Sequence, residues 1–148
     1  MLQQAGERAL PDGERFSLGA AATPDHVPEF RDAAQAFAEH HGVARSDDVA
    51  LAISEALTNA VLHAYRDGTA GPLRLTGWRE PSTVCFLVED DGCGLTPHRH
   101  SPGLGRGLNI IAQLCERYAI RGGAGAGTEV WMAFAVRPDC AATAPRTR

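Results

Sequence analysis

Three clusters in this sequence have residue types and spacings that can do chemistry. The first runs Ile53-Ser54-Glu55-Ala56-Leu57-Thr58-Asn59-Ala60-Val61-Leu62-His63-Ala64-Tyr65, and Glu55, Asn59 and His63 stand at i, i+4 and i+8, on one face of a helix. A carboxylate accepts a proton or positions a nucleophile. An amide oxygen is a hard neutral ligand suited to Mg²⁺, which takes one or two protein oxygens beside substrate phosphates. A solvated helix edge closing on a capping histidine would show the same spacing. The second cluster is Val88-Glu89-Asp90-Asp91-Gly92-Cys93-Gly94-Leu95. A buried aspartate accepts a hydrogen bond from an exocyclic amine such as that of adenine, and flanking glycines clear room for a flat ring. A tight acidic turn is the plainer alternative. The third is Pro102-Gly103-Leu104-Gly105-Arg106-Gly107-Leu108-Asn109-Ile110-Ile111, a glycine-rich loop opening a helix, where backbone amides make a site for a di- or triphosphate. It lacks the GK[ST] of a Walker loop, and no convincing strand precedes it as a dinucleotide fingerprint requires. Gly127-Thr128 is a further turn ahead of the last strand.

These residues must be held by regular elements. Residues 15–20 read as a short strand, and Thr23-Pro24 as a helix start. Val27, Phe30, Ala33, Ala34, Phe37 and Ala38 recur at helical spacing, with Gly42 where a C-terminal cap belongs. Ser46 before Asp47 and Asp48 is a helix N-terminal signature, and Val49, Ala52, Ile53, Ala56, Leu57, Ala60, Val61 and Ala64 predict a second helix of roughly five turns, ended by Arg66-Asp67-Gly68. Residues 73–78 and 83–89 read as an antiparallel hairpin turning at Glu80-Pro81-Ser82. From Asp90 to Gly107 no period is visible, which predicts a long functional loop. Leu108, Ile110, Ile111, Leu114 and Cys115 form a third helical stripe, and residues 118–121 and 129–136 read as closing strands. The expected organisation is a flexible N-terminus over residues 1–13, one domain over 14–137, and a flexible tail over 138–148.

Composition narrows the function classes. The chain has 148 residues, enough for one core without a staple. Asp and Glu number 18 against 14 basic residues, a net charge of -4, which gives no general attraction to nucleic acid or anionic lipid. All the basic residues are arginine, so a lysine Schiff base, a P-loop lysine and a kinase strand lysine are excluded. Cys85, Cys93, Cys115 and Cys140 form no CxxC pair, which speaks for reduced thiols and against a zinc or redox site. Without an apolar leader or a membrane-length run, a soluble cytoplasmic protein is expected, with no membrane and no direct nucleic-acid partner.

The order of the motifs adds what none carries alone. An E-x-x-x-N helix, a strand ending in DxGxG, a glycine-rich loop opening a helix, and GT before a last strand together resemble the GHKL, or histidine-kinase-like, ATPases over residues 16–136. The helix from Ile53 to Tyr65 is similar to the N-box of the anti-sigma-factor serine/threonine-protein kinases. The resemblance implies an α+β two-layer sandwich of the Bergerat type, three helices on a mixed, mostly antiparallel sheet. It implies that Glu55 orients an attacking serine hydroxyl, Asn59 ligates Mg²⁺, and Asp90 holds the adenine amino group in a pocket shaped by Gly92 and Gly94. Gly103, Gly105 and Gly107 would cradle phosphates under a lid, Leu108 would start the next helix, Thr128 would sit near the adenine, and His63, Leu95 and Arg106 complete the ATP-binding set. Where family kinases tend to carry a basic residue ahead of the phosphate-loop glycines, this chain has Pro102 and Gly103, with Arg106 as the substitute. The implied activity is that of an ATP- and Mg²⁺-dependent kinase that phosphorylates an anti-sigma-factor antagonist and sequesters a sigma factor, as a homodimer. The alternative is a non-catalytic, ATP-responsive protein-binding module of the same fold. No phosphoacceptor-histidine helices precede the domain, so a complete sensor histidine kinase is not expected.

Overall fold

The computed structural model describes residues 14–65, 70–92, 102–122 and 127–138, with 102–106 as backbone only. The expectations for residues 1–13, for the tail beyond 138, and for Gly94 and Leu95 lie outside the described residues. Alternating β-prone segments form β1 (Arg15–Ala21), β2 (Pro72–Arg79), β3 (Thr83–Asp90), β4 (Arg117–Gly122) and β5 (Thr128–Ala135). They make one sheet in the order β1-β2-β3-β5-β4, and every pairing is antiparallel, the limiting case of the sheet expected from the sequence. The hairpin β2–β3 turns at Glu80-Pro81-Ser82 as its turn residues predict.

Helices α1 (His26–His40), α2 (Ser46–Asn59) and α3 (Pro102–Leu114) cover one face, with α2 between the other two. Phe30, Ala34 and Ala38 of α1 and Val49, Ile53 and Leu57 of α2 recur at helical spacing and meet Leu75, Phe86, Val88 and Met132 of the sheet in one core. Burying apolar surface in this interlayer drives the fold. The expected α+β two-layer sandwich is the observed one.

The helix ends show which local signals won. At the end of α1, Gly42 takes φ +93°. Its N–H donates to the Glu39 carbonyl at 3.2 Å and the Val43 N–H to the Ala38 carbonyl at 3.0 Å, a Schellman closure that needs a residue free to adopt a left-handed conformation. At the start of α2, Ser46 is not the cap. It is the first helical residue, Arg45 precedes it without a side-chain cap bond, and the Ser46 hydroxyl donates instead to Glu39 of α1 at 2.8 Å. The oxygen that a local reading assigns to the helix end is used to tie two helices together.

Two departures bear on function. The second helix does not run regularly to Ala64: after Asn59 it widens into a π-helical turn, Ala60–Ala64, and Tyr65 is extended. A π turn closes i to i+5, and such turns are frequent at functional sites. The third helix does not begin at Leu108 but at Pro102, so Gly103, Gly105 and Gly107 lie in its first turns rather than in a loop. Proline suits a first helical position, where its missing N–H has no partner to lose and its φ is already helical. The glycines hid this start because glycine carries no periodic apolar signal.

The sheet face away from the helices also holds buried side chains. Cys85 and Ala133 are fully buried although neither belongs to the core cluster. Cys85 pairs with Trp78 and with Ala133 across the ladders, and Trp131 pairs with Leu87 and Ala119. The Arg15 and Arg117 guanidiniums stand over the Trp78 and Trp131 rings, 6.0 and 5.5 Å from their centroids. Among the described residues no second layer packs on this face, and two indoles capped by arginines stand beside its middle. No described helix is long and apolar enough to cross a membrane.

Candidate functional site

β3 ends at Asp90 and β5 begins at Thr128, and the β3–β5 register sets these two residues opposite one another. Side chains two apart share a strand face, so Val88 and Asp90, with Thr128 and Val130 across the ladder, turn toward the helices, and Ile120 extends the row from β4. Facing them are Ala56 and Asn59 from α2, His63 and Ala64 from the π turn, and Leu108 from α3. Together these residues line an open pocket of about 410 Å³, including the solvent at its mouth. A mostly apolar wall with a few convergent polar groups is the usual make-up of a small-molecule site.

Asn59 closes α2 and His63 lies in the π turn that follows, and both line this pocket. The turn widens the helix between these two polar residues, so their placement is not that of a regular i, i+4 pair.

Asp90 is the polar centre of the floor and is only 8 % exposed. Its Oδ1 accepts the Gly92 N–H at 2.9 Å. Burial lifts the Asp90 carboxyl above the usual carboxylate range; the Gly92 and Thr128 backbone N–H groups pull it back, while the neighbouring Asp91 charge adds to the rise and Arg74 opposes it. The backbone closes tightly around this carboxylate. The Gly127 N–H donates to the Gly92 carbonyl at 3.2 Å, and Gly127 has φ +77° with no space for a side chain beside the Asp90 carbonyl. A Cβ at Gly92 would overlap the Ala64 carbonyl and come within 2.6 Å of the Ala64 Cβ. Glycine at 92 therefore lets the end of the π turn lie directly on the end of β3.

Glu55 does not line the pocket itself. It stands at the margin beside Asn59, under α3, and Gly107 is what allows that approach. A Cβ on Gly107 would lie 2.9 Å from Glu55 Oε1 and 3.3 and 3.5 Å from the amide nitrogen and oxygen of Asn59. A carboxylate and an amide thus sit side by side at the edge of a pocket whose floor is a buried carboxylate.

The structure therefore gathers Asn59, His63, Asp90, Leu108 and Thr128 in one pocket, with Glu55 and Gly107 at its margin and Gly92 behind it. Gly103, Gly105 and Arg106 are known only as α3 backbone. The sequence reading missed the apolar wall, Ala56, Ala64, Val88, Ile120 and Val130. Counting back by two from Asp90 and on by two from Thr128 finds Val88 and Val130, whereas Ile120 needs the ladder register. Among the described residues no three His, Cys, Asp or Glu side chains converge on one point.

The sequence profile of the histidine kinase-like ATPase domain matches residues 20–134. This chain belongs to the histidine kinase-like ATPase domain family. Its motifs fall within the matched span, and the ligand implied by the family is ATP. Among relatives, this histidine kinase-like ATPase domain is 30 % identical over 97 residues to an anti-sigma F factor of Pasteuria penetrans, covering 57 % of this chain and 65 % of that protein. It is 35 % identical over 69 residues to the signal transduction histidine-protein kinase/phosphatase UhpB of Salmonella typhimurium, covering 47 % of this chain and 12 % of UhpB. The chain thus spans less than two thirds of the length of either relative. Among solved structures it is similar to the histidine kinase domain of the blue-light activated histidine kinase of Erythrobacter litoralis EL346. That match has a TM-score of 0.54 and 29 % identity over 64 % of this chain and 46 % of the other.

Proposed function

We propose that the chain is an ATP-dependent protein serine kinase of the anti-sigma-factor kind, which phosphorylates an anti-sigma-factor antagonist and otherwise holds a sigma factor. The observation that carries the reading is the pairing of Glu55 with Asn59 at the margin of a pocket floored by Asp90. The similarity to an anti-sigma F factor supports the partner class. In this reading Asp90 accepts a hydrogen bond from the adenine amine, with Gly92 and Thr128 shaping the space around the ring and His63 and Leu108 flanking it. The start of α3, with Gly103, Gly105, Arg106 and Gly107, faces the phosphates, and helix N-terminal amides favour that charge.

The Asn59 amide lies where a side chain at 107 would fill the gap, so the residues present suit a Mg²⁺ ion held by one protein oxygen and phosphate oxygens. The ion would supply charge neutralisation on the transferring group. Glu55 orients the serine hydroxyl and takes its proton as the serine oxygen attacks the terminal phosphorus. The new O–P bond forms as the bond to the bridging oxygen breaks, and ADP leaves with that oxygen. The work of the protein is to position these groups.

A second reading, ATP-responsive binding without transfer, is favoured by Pro102 and Gly103 standing where family kinases carry a basic residue. Glu55→Ala separates the two. Loss of a positioned acid or base costs about 10²–10⁴-fold, so phosphate transfer from labelled ATP to a serine-bearing antagonist should fall by at least about a hundredfold with ATP binding retained. Undiminished transfer by the variant would remove Glu55 from this role, and stoichiometric ATP left intact by wild type and antagonist together would select the second reading.

A further inference from the structure

The Tyr65 hydroxyl ties the end of the π turn to two other backbone segments, the corner after β3 and the start of β2. It accepts the Asp91 N–H at 2.7 Å and donates to the Pro72 carbonyl at 2.6 Å. The first bond reaches the corner after β3, the second the first residue of β2, and Tyr65 itself follows the last residue of the π turn. Its ring lies against Gly71, where a Cβ would come within 2.6 Å of the ring carbon bearing the hydroxyl. Both bonds thus run to backbone atoms, and each needs the hydroxyl and not the ring.

We infer that Tyr65 is a positioning residue for nucleotide recognition: its hydroxyl locks the Asp91–Gly92 corner to the end of the π turn and so fixes the angle at which Asp90 meets a ligand. Three observations converge on it. Asp90 Oδ1 accepts from the Gly92 N–H, one residue beyond the amide that Tyr65 holds. Gly92 packs on Ala64, the residue before Tyr65, so a shift at one end of this contact moves the other. Asn59 and His63 belong to the same helical run, so the tyrosine also couples the α2 face to the pocket floor. Burial raises the phenol above its ordinary pKa, with the Asp91 N–H pulling against it, so the hydroxyl stays protonated and able to donate across the physiological range.

The inference rests on the ATP-binding reading for its functional arm, and its structural arm stands without it. Tyr65→Phe keeps the ring and removes both hydrogen bonds. In the ligand-free protein, the Asp91 amide proton should lose its downfield shift in ¹⁵N–¹H spectra and exchange at least tenfold faster, while amides within β3 keep wild-type protection. Unchanged shift and exchange at Asp91 would overturn the lock whether or not ATP binds. For ATP, measured by calorimetric titration with Mg²⁺, Tyr65→Phe should weaken binding about five- to tenfold, the scale of one net hydrogen bond.

A general loss of stability would add to the effect of Asp90→Asn, whereas a lock that acts through Asp90 would not. The double variant should therefore bind no more weakly than Asp90→Asn alone. Strict additivity would overturn the inference. A wild type that binds no ATP would refute the proposed function and leave the Asp91 result to decide the lock.

Discussion

Replacing Gly107 by alanine should separate stability from function. Alanine is favoured over glycine inside a helix by about 0.8–1 kcal/mol, and Gly107 lies within α3. The added Cβ would sit 2.9 Å from Glu55 Oε1 and 3.3 Å from the Asn59 amide nitrogen, so the neighbours must give. The nearest atom is the end of a flexible side chain, and pushing a side chain away from its rotamer costs about 0.5–1.5 kcal/mol. The two terms nearly cancel, and the net change is within about 1 kcal/mol of zero. At roughly 2–4 °C per kcal/mol for a chain near this size, the melting temperature should move by no more than about 4 °C. The function does not share that cancellation, because the displaced atoms are the carboxylate and amide assigned to proton acceptance and metal ligation. A misplacement of about 1 Å costs up to 10²-fold in rate, so phosphate transfer should fall roughly ten- to a hundredfold. Differential scanning fluorimetry with a transfer assay measures both quantities on one preparation. A variant that melts as wild type and also transfers phosphate as wild type refutes the assignment of chemistry to the α2–α3 contact.

Gly92→Ala should behave in the opposite way. Its Cβ would overlap the Ala64 backbone, which cannot rotate aside, so overpacking should cost about 1–3 kcal/mol, seen as a melting temperature lower by several degrees together with lost ATP affinity; an unshifted melting curve would show that the corner yields. For Asp90, the folded-state pKa is raised above that of the unfolded chain, chiefly by burial. Between those two values the native state holds more protons than the unfolded one, so the stabilising contribution is present at low pH and is lost as pH rises through the folded value. Asp90→Asn removes the penalty for keeping a buried charge while retaining an acceptor for the Gly92 N–H. At neutral pH the variant should melt at or above the wild type, and the gap should close as pH falls to the acid side of the carboxylate range. A variant markedly less stable at neutral pH would contradict this account.

Much of the scaffold was legible because its signals are local. The β2–β3 hairpin, the stripe of α1 and the Gly42 cap each follow from residues within a few positions of one another. The misreadings share one cause, a local signal overridden by a tertiary partner. Ser46 has the chemistry of a cap but donates to Glu39 instead, and Gly107, in the glycine-rich start of α3, is explained only by the closeness of Glu55 and Asn59. The pocket was half legible. Asp90 and Asn59 stand out by type and spacing, whereas Ile120 and Val130 are ordinary apolar residues until the ladder pairs them. The π turn left no mark in the apolar pattern, because Ala60, Val61 and Ala64 fit either turn.

The strand order also has a consequence for the growing chain. β3 is complete early, but its second neighbour in the sheet is β5, the last of the described strands in chain order, and the Asp90–Thr128 pair closes only with that docking. Until then one edge of β3 is unpaired and Val88 lacks its neighbour Val130, a state that invites off-pathway association. Loop closure across α3 and β4 makes this a slow, non-local step. A ligand that grips both Asp90 and Thr128 can bind only once it is done. Nucleotide would then act as a late-binding staple that selects finished molecules over partly synthesised ones.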